Sequence, residues 1–263
     1  MHSFCEESSH FRNIPIYRLE SAIGDLDFLS NSRKIVPEDD PDEVADEVIS
    51  FGLDEMCWSL YFEASFFIRL IYSGFLPICT NLGPHGDPIY CLLPKLHYYR
   101  SLAAMENFTI PKRVKKQISK YVLHVNEIFC RVVDQCCLQH GERCWLYPPF
   151  RRLLADLHSM GSVCSIELMN RDSGDLVAGE IGYTVGTIYT SMTGFYTESG
   201  AGTVQLHMLR QLLVERGYEV WDLGMEMEYK TNVLGARQIE RSVFVNEIVR
   251  KFRTHLPERG LDT

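Results

Sequence analysis

The sequence predicts an α+β fold: one mixed, mostly antiparallel sheet with helices on its faces. Two observations carry this. Helical periodicity dominates from Pro41 to His158, whereas from Val163 onward the apolar residues alternate as in strands. The second half then runs strand, hairpin, strand, helix, strand, helix, an ordering that packs helices against a single sheet. With 263 residues, 46% of them apolar, the chain can bury a substantial core.

The first 40 residues carry little periodicity and are expected to form an acidic arm. From Pro41, acids in the first turn and apolar residues at Val44, Val48 and Ile49 predict a helix. A second, more apolar helix is expected over about Glu55–Tyr72, closed by Gly74 and Pro77. The cluster Gly83-Pro84-His85-Gly86-Asp87-Pro88 marks a turn and an expected domain boundary. The chain is thus divided into an arm (1–40), a small helical domain (41–87), the main domain (88–253) and a tail (254–263).

Past the boundary, a strand is expected at Ile89–Leu93, then a basic helix over 111–120, and helices at about 125–139 and 148–158. The segment Ser165–Met169 leads through an Arg171–Gly174 turn into a hairpin, 175–195, with Val185-Gly186-Thr187 at its corner. A helix over about 202–216 stops at Gly217, a strand ends at Trp221-Asp222, and a helix-like segment spans 230–235. This ordering matches the second half of N-acetyltransferase-like folds.

Acidity is concentrated at one end. Residues 1–60 hold 14 acids against 4 Lys and Arg, and the remainder 21 against 22, so the net charge of −9 does not argue against a polyanionic partner. The acidic run 38–43 is expected to be a solvated loop or a helix N-terminus. Nine cysteines suit free thiols in a reducing cytosol, the expected compartment in a chain that opens without a secretory pattern. Cys136, Cys137, His140 and Cys144 lack a C-x-x-C pair and follow a helical pattern, so no metal is expected. The most apolar stretch, 66–79, is interrupted by Arg69, Gly74 and Pro77 and is too short to span a bilayer.

The polar, glycine-bearing exit of the hairpin, Tyr196-Thr-Glu-Ser-Gly-Ala-Gly-Thr203, could bring a ligand oxygen against free N–H groups at a helix start, or could be plain turn chemistry. Leu206, Leu209, Leu213 and Val214 form a stripe that reads as core or as the wall of a pocket. Asp222, at a strand end, is a candidate for chemistry or for a cap.

Residues 50–250 resemble the leucyl/phenylalanyl-tRNA–protein transferases. The marks are a colinear series: Tyr72-Ser-Gly-Phe-Leu-Pro77, Leu93-Pro-Lys-Leu-His-Tyr-Tyr-Arg-Ser101, Cys144-Trp-Leu146, Leu157-His-Ser-Met-Gly161, Ser165-Ile-Glu167, Leu176-Val-Ala-Gly179, Gly186-Thr-Ile-Tyr189, Phe195, Asp222, and Leu234-Gly-Ala236 before Ile239. The resemblance implies an acetyltransferase-like domain behind a small N-terminal module. It implies transfer of leucine, phenylalanine or methionine from charged tRNA to a protein with an N-terminal Lys or Arg, marking that protein for degradation. No cofactor and no metal are implied, and a monomer is expected.

By the same resemblance, Trp145, Tyr189, Met192 and Phe195 would line the adenosine and aminoacyl site, and Leu206, Leu209 and Leu213 the side-chain slot. Arg100 would meet the tRNA end, and Asp222 would match the family's acid. The member is divergent. The family's Gly-Glu-Ser-Met-Phe reads Ser191-Met-Thr-Gly-Phe195, its Asn-Ala-Ser-Lys reads Gly200-Ala-Gly-Thr203, and the glutamine two residues after the aspartate is Gly224. Glu226 and Glu228 follow Asp222 at even spacing and would share its face in an extended segment, helping it to accept the amine's proton. Lys112, Arg113, Lys115, Lys116 and Lys120 are the candidate tRNA contacts. Two other readings stay open: a non-catalytic relative that binds aminoacyl-tRNA or N-terminal peptides, and a coenzyme-A-dependent N-acetyltransferase with its pyrophosphate loop at Gly200-Ala-Gly202.

Overall fold

A computed structural model describes Leu29 and residues 31–83 and 87–261. Most of the expected 1–40 arm, the tip of the turn cluster and the end of the tail therefore lie outside the described residues.

The acidic run starts a helix. Asp40 accepts a hydrogen bond from the Asp42 N–H at 3.0 Å, Pro41 occupies the first turn, and Asp42 and Glu43 face the helix's positive end, giving α1 (Pro41–Ser50). The next helix is shorter than its apolar pattern suggests. Cys57–Trp58 (β2) pairs with Arg33–Lys34 (β1), and α2 begins only at Ala64 and runs to Tyr72. The stretch expected to be purely helical thus also holds strands.

Leu76–Asn81 (β3) pairs antiparallel with Tyr90–Lys95 (β4), so the turn at the expected boundary joins two partnered strands. One core also runs across it. Val44, Val48, Phe66, Phe67 and Leu70 bury together with Phe150, Leu157, Ile181 and Tyr183 of the later chain. Arg241 seals the junction by donating to the carbonyls of Val48 and Leu53 at 3.0 and 3.1 Å.

Among the described residues the main sheet has seven strands. Those not yet named are β5 (Tyr99–Ala103), β6 (Tyr121–Val125), β7 (Val163–Asn170), β8 (Leu176–Val185), β9 (Ile188–Tyr196), β10 (Val220–Asp222) and β11 (Arg237–Glu240). Their order across the sheet is β11-β5-β10-β9-β8-β7-β6. All pairs are antiparallel except β9 and β10, which lie parallel and are joined by a helical crossover, α6 (Ala201–Glu215). The mixed, mostly antiparallel sheet predicted from sequence is therefore present. Strands β5, β6 and β11 were not foreseen.

Helices α4 (Phe129–His140) and α5 (Pro148–Ser159) cover one face, and α6 covers the other with Val204, Leu209 and Leu213. The basic helix α3 (Lys112–Ile118) buries Val114 and leaves its cations outside. Helix α7 (Glu228–Leu234) stops at Gly235, and a last helical run covers Arg241–Val243, Phe244–Val249 and Arg250–Phe252.

Two glycines shape the hairpin. At its corner, Gly186 has φ of +57°, and a Cβ there would lie 2.2 Å from the Phe252 carbonyl oxygen. A Cβ on Gly182 would strike the Tyr189 hydroxyl at 2.4 Å, so its absence lets that ring lie across β8. Beside it the ladder slips: Gly182 pairs with Ser191 and Ile181 with Thr193, leaving Met192 as the extra residue of a β-bulge.

Candidate active site

From the bulge onward, where β10 no longer pairs with β9, a cleft of about 730 Å³ lies along the strand. In a regular strand only alternate residues would face one side, yet all of Ser191–Tyr196 line this cavity. Trp145, Met192, Phe195, Leu206, Met225 and Met227 form apolar walls. Its size and apolar lining suit a small organic group.

The floor is polar. Glu180, 4% exposed, projects from β8 and lines the cleft. Its Oε1 accepts from the Tyr189 hydroxyl at 2.8 Å and the Ser191 hydroxyl at 2.6 Å, and its Oε2 accepts from Gln205 Nε2 at 2.9 Å. Ser191 can donate there because its oxygen is itself held by the Trp221 indole N–H, 2.9 Å away. Burial pushes the Glu180 carboxyl above the usual carboxylate range, against the pull of its three donors.

Lys230, on α7, also lines the cleft and is 6% exposed. Its ammonium donates to the Leu223 carbonyl and, at 2.7 Å, to the Met225 carbonyl. Burial pulls its pKa down to about 8, partly offset by the charge of Asp222.

Several expected site residues lie elsewhere. Asp222 is fully buried and does not line the cleft: Arg100 clamps both its oxygens, Thr190 donates to it at 3.2 Å, and the Gly224 N–H at 2.8 Å. Arg100 is 1% exposed, pressed on the Phe244 ring 4.6 Å away, and so offers no surface to a nucleic acid. Burial alone would lower its pKa, but the Asp222 charge outweighs that and holds it raised. Glu226 and Glu228 do not line the cleft either. Leu223, Met225, Met227 and Tyr229 line it instead, while Asp222 is buried in the sheet and both glutamates are exposed. Tyr189 meets the cleft only through the carboxylate it supports, being wholly buried. Leu209 and Leu213 are core, Val214 is exposed, and of the expected stripe Leu206 reaches the cavity.

Trp145, Met192, Phe195 and Leu206 do line the cleft, and Lys112, Arg113, Lys115, Lys116 and Lys120 are all exposed. The glycine-bearing exit is at the rim: Gly202 and Thr203 line the cavity, and a Cβ on Gly200 would sit 3.4 Å from Gln117 of α3. Sequence reasoning missed Glu180, Gln205 and Lys230. For Glu180 a signal existed, a lone acid in the apolar run Leu176–Tyr183. Among the described residues no three or more His, Cys, Asp or Glu cluster as a metal site, and no helix is long and apolar enough to cross a membrane.

Two leucyl/phenylalanyl-tRNA–protein transferases are similar to the chain in sequence. That of Shewanella woodyi is 26% identical over 144 residues, covering 54% of this chain and 58% of its own. That of Hyphomonas neptunium is 29% identical over 150 residues, covering 56% and 57%. The chain thus spans little more than half the length of these relatives. Among solved structures, a GCN5-related N-acetyltransferase from Sphaerobacter thermophilus matches with a TM-score of 0.38 and 12% identity, over 70% of this chain and 57% of its own, a likeness too loose to carry a conclusion. The family described as leucyl/phenylalanyl-tRNA protein transferase matches residues 102–249, which hold β6–β11 and most of the cleft. More than half of the chain falls within that match, and the protein belongs to the leucyl/phenylalanyl-tRNA protein transferase family.

Proposed function

We propose that this protein transfers an aminoacyl group from tRNA to the N-terminal amine of an acceptor protein. The observation that carries the reading is the cleft at the β9 bulge, apolar on its walls and polar on its floor, within the block that matches the family. The side chain of leucine, phenylalanine or methionine would lie against Met192, Phe195, Leu206 and Met225. The terminal adenosine would stack near Trp145. Acceptors would begin with Lys or Arg, and the added residue would mark them for degradation, in the cytosol and by a monomeric enzyme.

The nucleic acid would approach along α3. Gln117 of that helix abuts Gly200, and two residues on Gly202 lines the rim, so the exposed cations of α3 stand beside the mouth. Phosphate contacts there would guide the acceptor stem toward the cavity.

The chemistry asks little of any one side chain. The ester arrives activated, the amine attacks its carbonyl carbon, a C–N bond forms, and the bond to the ribose oxygen breaks. The amine's proton leaves and the ribose oxygen gains one. An α-amine ordinarily titrates at about 7.7–8.0, so a useful fraction is neutral at pH 7. Positioning can supply ~7–11 kcal/mol, whereas a general base typically adds a factor of only ~10²–10⁴.

A second reading, a non-catalytic relative that binds the same ligands, is favoured by one observation: Asp222 is committed to Arg100 and lies outside the cleft. Mixing the protein with radiolabelled leucyl-, phenylalanyl- or methionyl-tRNA and Lys- or Arg-headed peptides separates the two. Label in the peptide supports transfer. Retention of charged tRNA without labelled peptide supports the binding protein and overturns the transferase.

A further inference from the structure

We infer that Glu180 is the residue of the cleft that holds the α-ammonium group of a ligand. This deepens the transferase reading and rests on it for the choice of ligands.

Glu180 has an acceptor position to spare. An ionised carboxylate offers about four lone-pair positions. Among the described residues, Oε1 of Glu180 takes two donors and Oε2 takes one, which leaves them one position on Oε2 unused. All three donors are neutral groups, a phenol, a hydroxyl and a carboxamide, so they orient the carboxylate without cancelling its charge. The cations that line the same cleft are Lys95 and Lys230. Lys95 pairs with Glu55 at 3.6 Å; the charge of Lys230 reaches Glu180, but its ammonium hydrogen-bonds the Leu223 and Met225 carbonyls.

Glu180 is also the one acid among the described residues that line the cavity. A buried carboxylate without a bonded cation is costly, and a cation brought by the ligand removes that cost. The surrounding fold maintains the arrangement: Gly182 makes room for the Tyr189 ring, and Trp221 fixes the Ser191 hydroxyl. An acceptor N-terminus and the aminoacyl group of a charged tRNA both present an α-ammonium, so the chemistry is shared and the source is decided by experiment.

Isothermal titration at neutral pH uses two probes, each with a free and an N-acetylated amine. One is a short Arg-headed peptide. The other is phenylalanyl-adenosine with its ester replaced by an amide. For the source that occupies Glu180, the free amine binds about tenfold or more tighter than its acetylated form, as a charge-assisted hydrogen bond requires. Glu180→Gln erases that ratio while leaving the acetylated probe unchanged. The variant keeps the network, since the Gln205 carboxamide can turn its oxygen toward the new amide.

Equal binding of free and acetylated forms of both probes by the natural protein overturns the inference without any mutant. So does binding of neither probe, or a ratio that survives Glu180→Gln. An acetylation ratio without label transfer leaves the role of Glu180 standing and removes the transferase. Label transfer without a ratio does the reverse.

Discussion

The Arg100 guanidinium clamps the Asp222 carboxylate inside the sheet, Nε to Oδ1 at 3.1 Å and Nη2 to Oδ2, across the junction of β5 and β10. Both residues are at most 1% exposed. The pair is therefore part of the framework behind the cleft. Removing one partner strands the other charge in the interior, so Asp222→Ala is expected to lower stability by about 3–5 kcal/mol. Denaturant unfolding measures it. A variant that keeps full stability and loses only transfer would contradict this role.

The leucines of α6 separate core from cleft. Leu209 is fully buried, and Leu209→Ala is expected to cost ~2–5 kcal/mol of stability while leaving ligand preference unchanged. Leu206 lines the cavity, so Leu206→Trp is expected to weaken binding of phenylalanyl ligands more than leucyl ones, with little change in thermal midpoint. Titration and melting curves on both variants check the contrast.

His97 gives a pH signature. It lies beside Glu55 at 3.3 Å, but burial, aided by the Arg100 charge, pulls its pKa down to about 4 from an ordinary 6.5. Between those values the unfolded chain binds the proton and the folded one does not, so stability from this group falls as pH drops through 6.5 toward 4. His97→Gln is expected to flatten the fall in melting midpoint between pH 7 and pH 5. An unchanged slope would assign the acid sensitivity to other groups.

The exposed cations of α3 are expected to carry the salt dependence of tRNA binding. Replacing Lys112, Arg113, Lys115 and Lys116 by Gln should reduce the slope of log K against log salt by about one per lost contact. A quadruple variant with the natural slope would move the nucleic-acid surface elsewhere.

How far the sequence reaches can be followed along the chain. Long, strongly periodic segments are legible: α1, α4, α5 and α6 fall close to where their patterns put them, because buried faces repeat at helical spacing. Short strands are not. β11 lies at one edge of the sheet with β5 beside it, and both pair only with strands distant in sequence, which local pattern cannot reveal. The walls of the cleft were legible through Trp145, Met192, Phe195 and Leu206, but its floor was not. Counting residues from Asp222 keeps Glu226 and Glu228 with it, but all three lie off the cleft, which Leu223, Met225, Met227 and Tyr229 line instead. Ser191–Tyr196 line the cleft consecutively along the part of β9 that β10 does not pair with, a limit invisible without the partner strand. Glu180 and Gln205 meet only because β8 and α6 pack together.

The central claim is that the charged end of an aminoacyl-tRNA enters the cleft at the β9 bulge. Cross-linking with phenylalanyl-tRNA that carries a photoreactive group on its phenyl ring, followed by peptide mapping, tests it directly. The label is expected on Met192, Phe195, Leu206 or Met225, and to be displaced by unmodified phenylalanyl-tRNA. Displaceable label confined to another surface would contradict it.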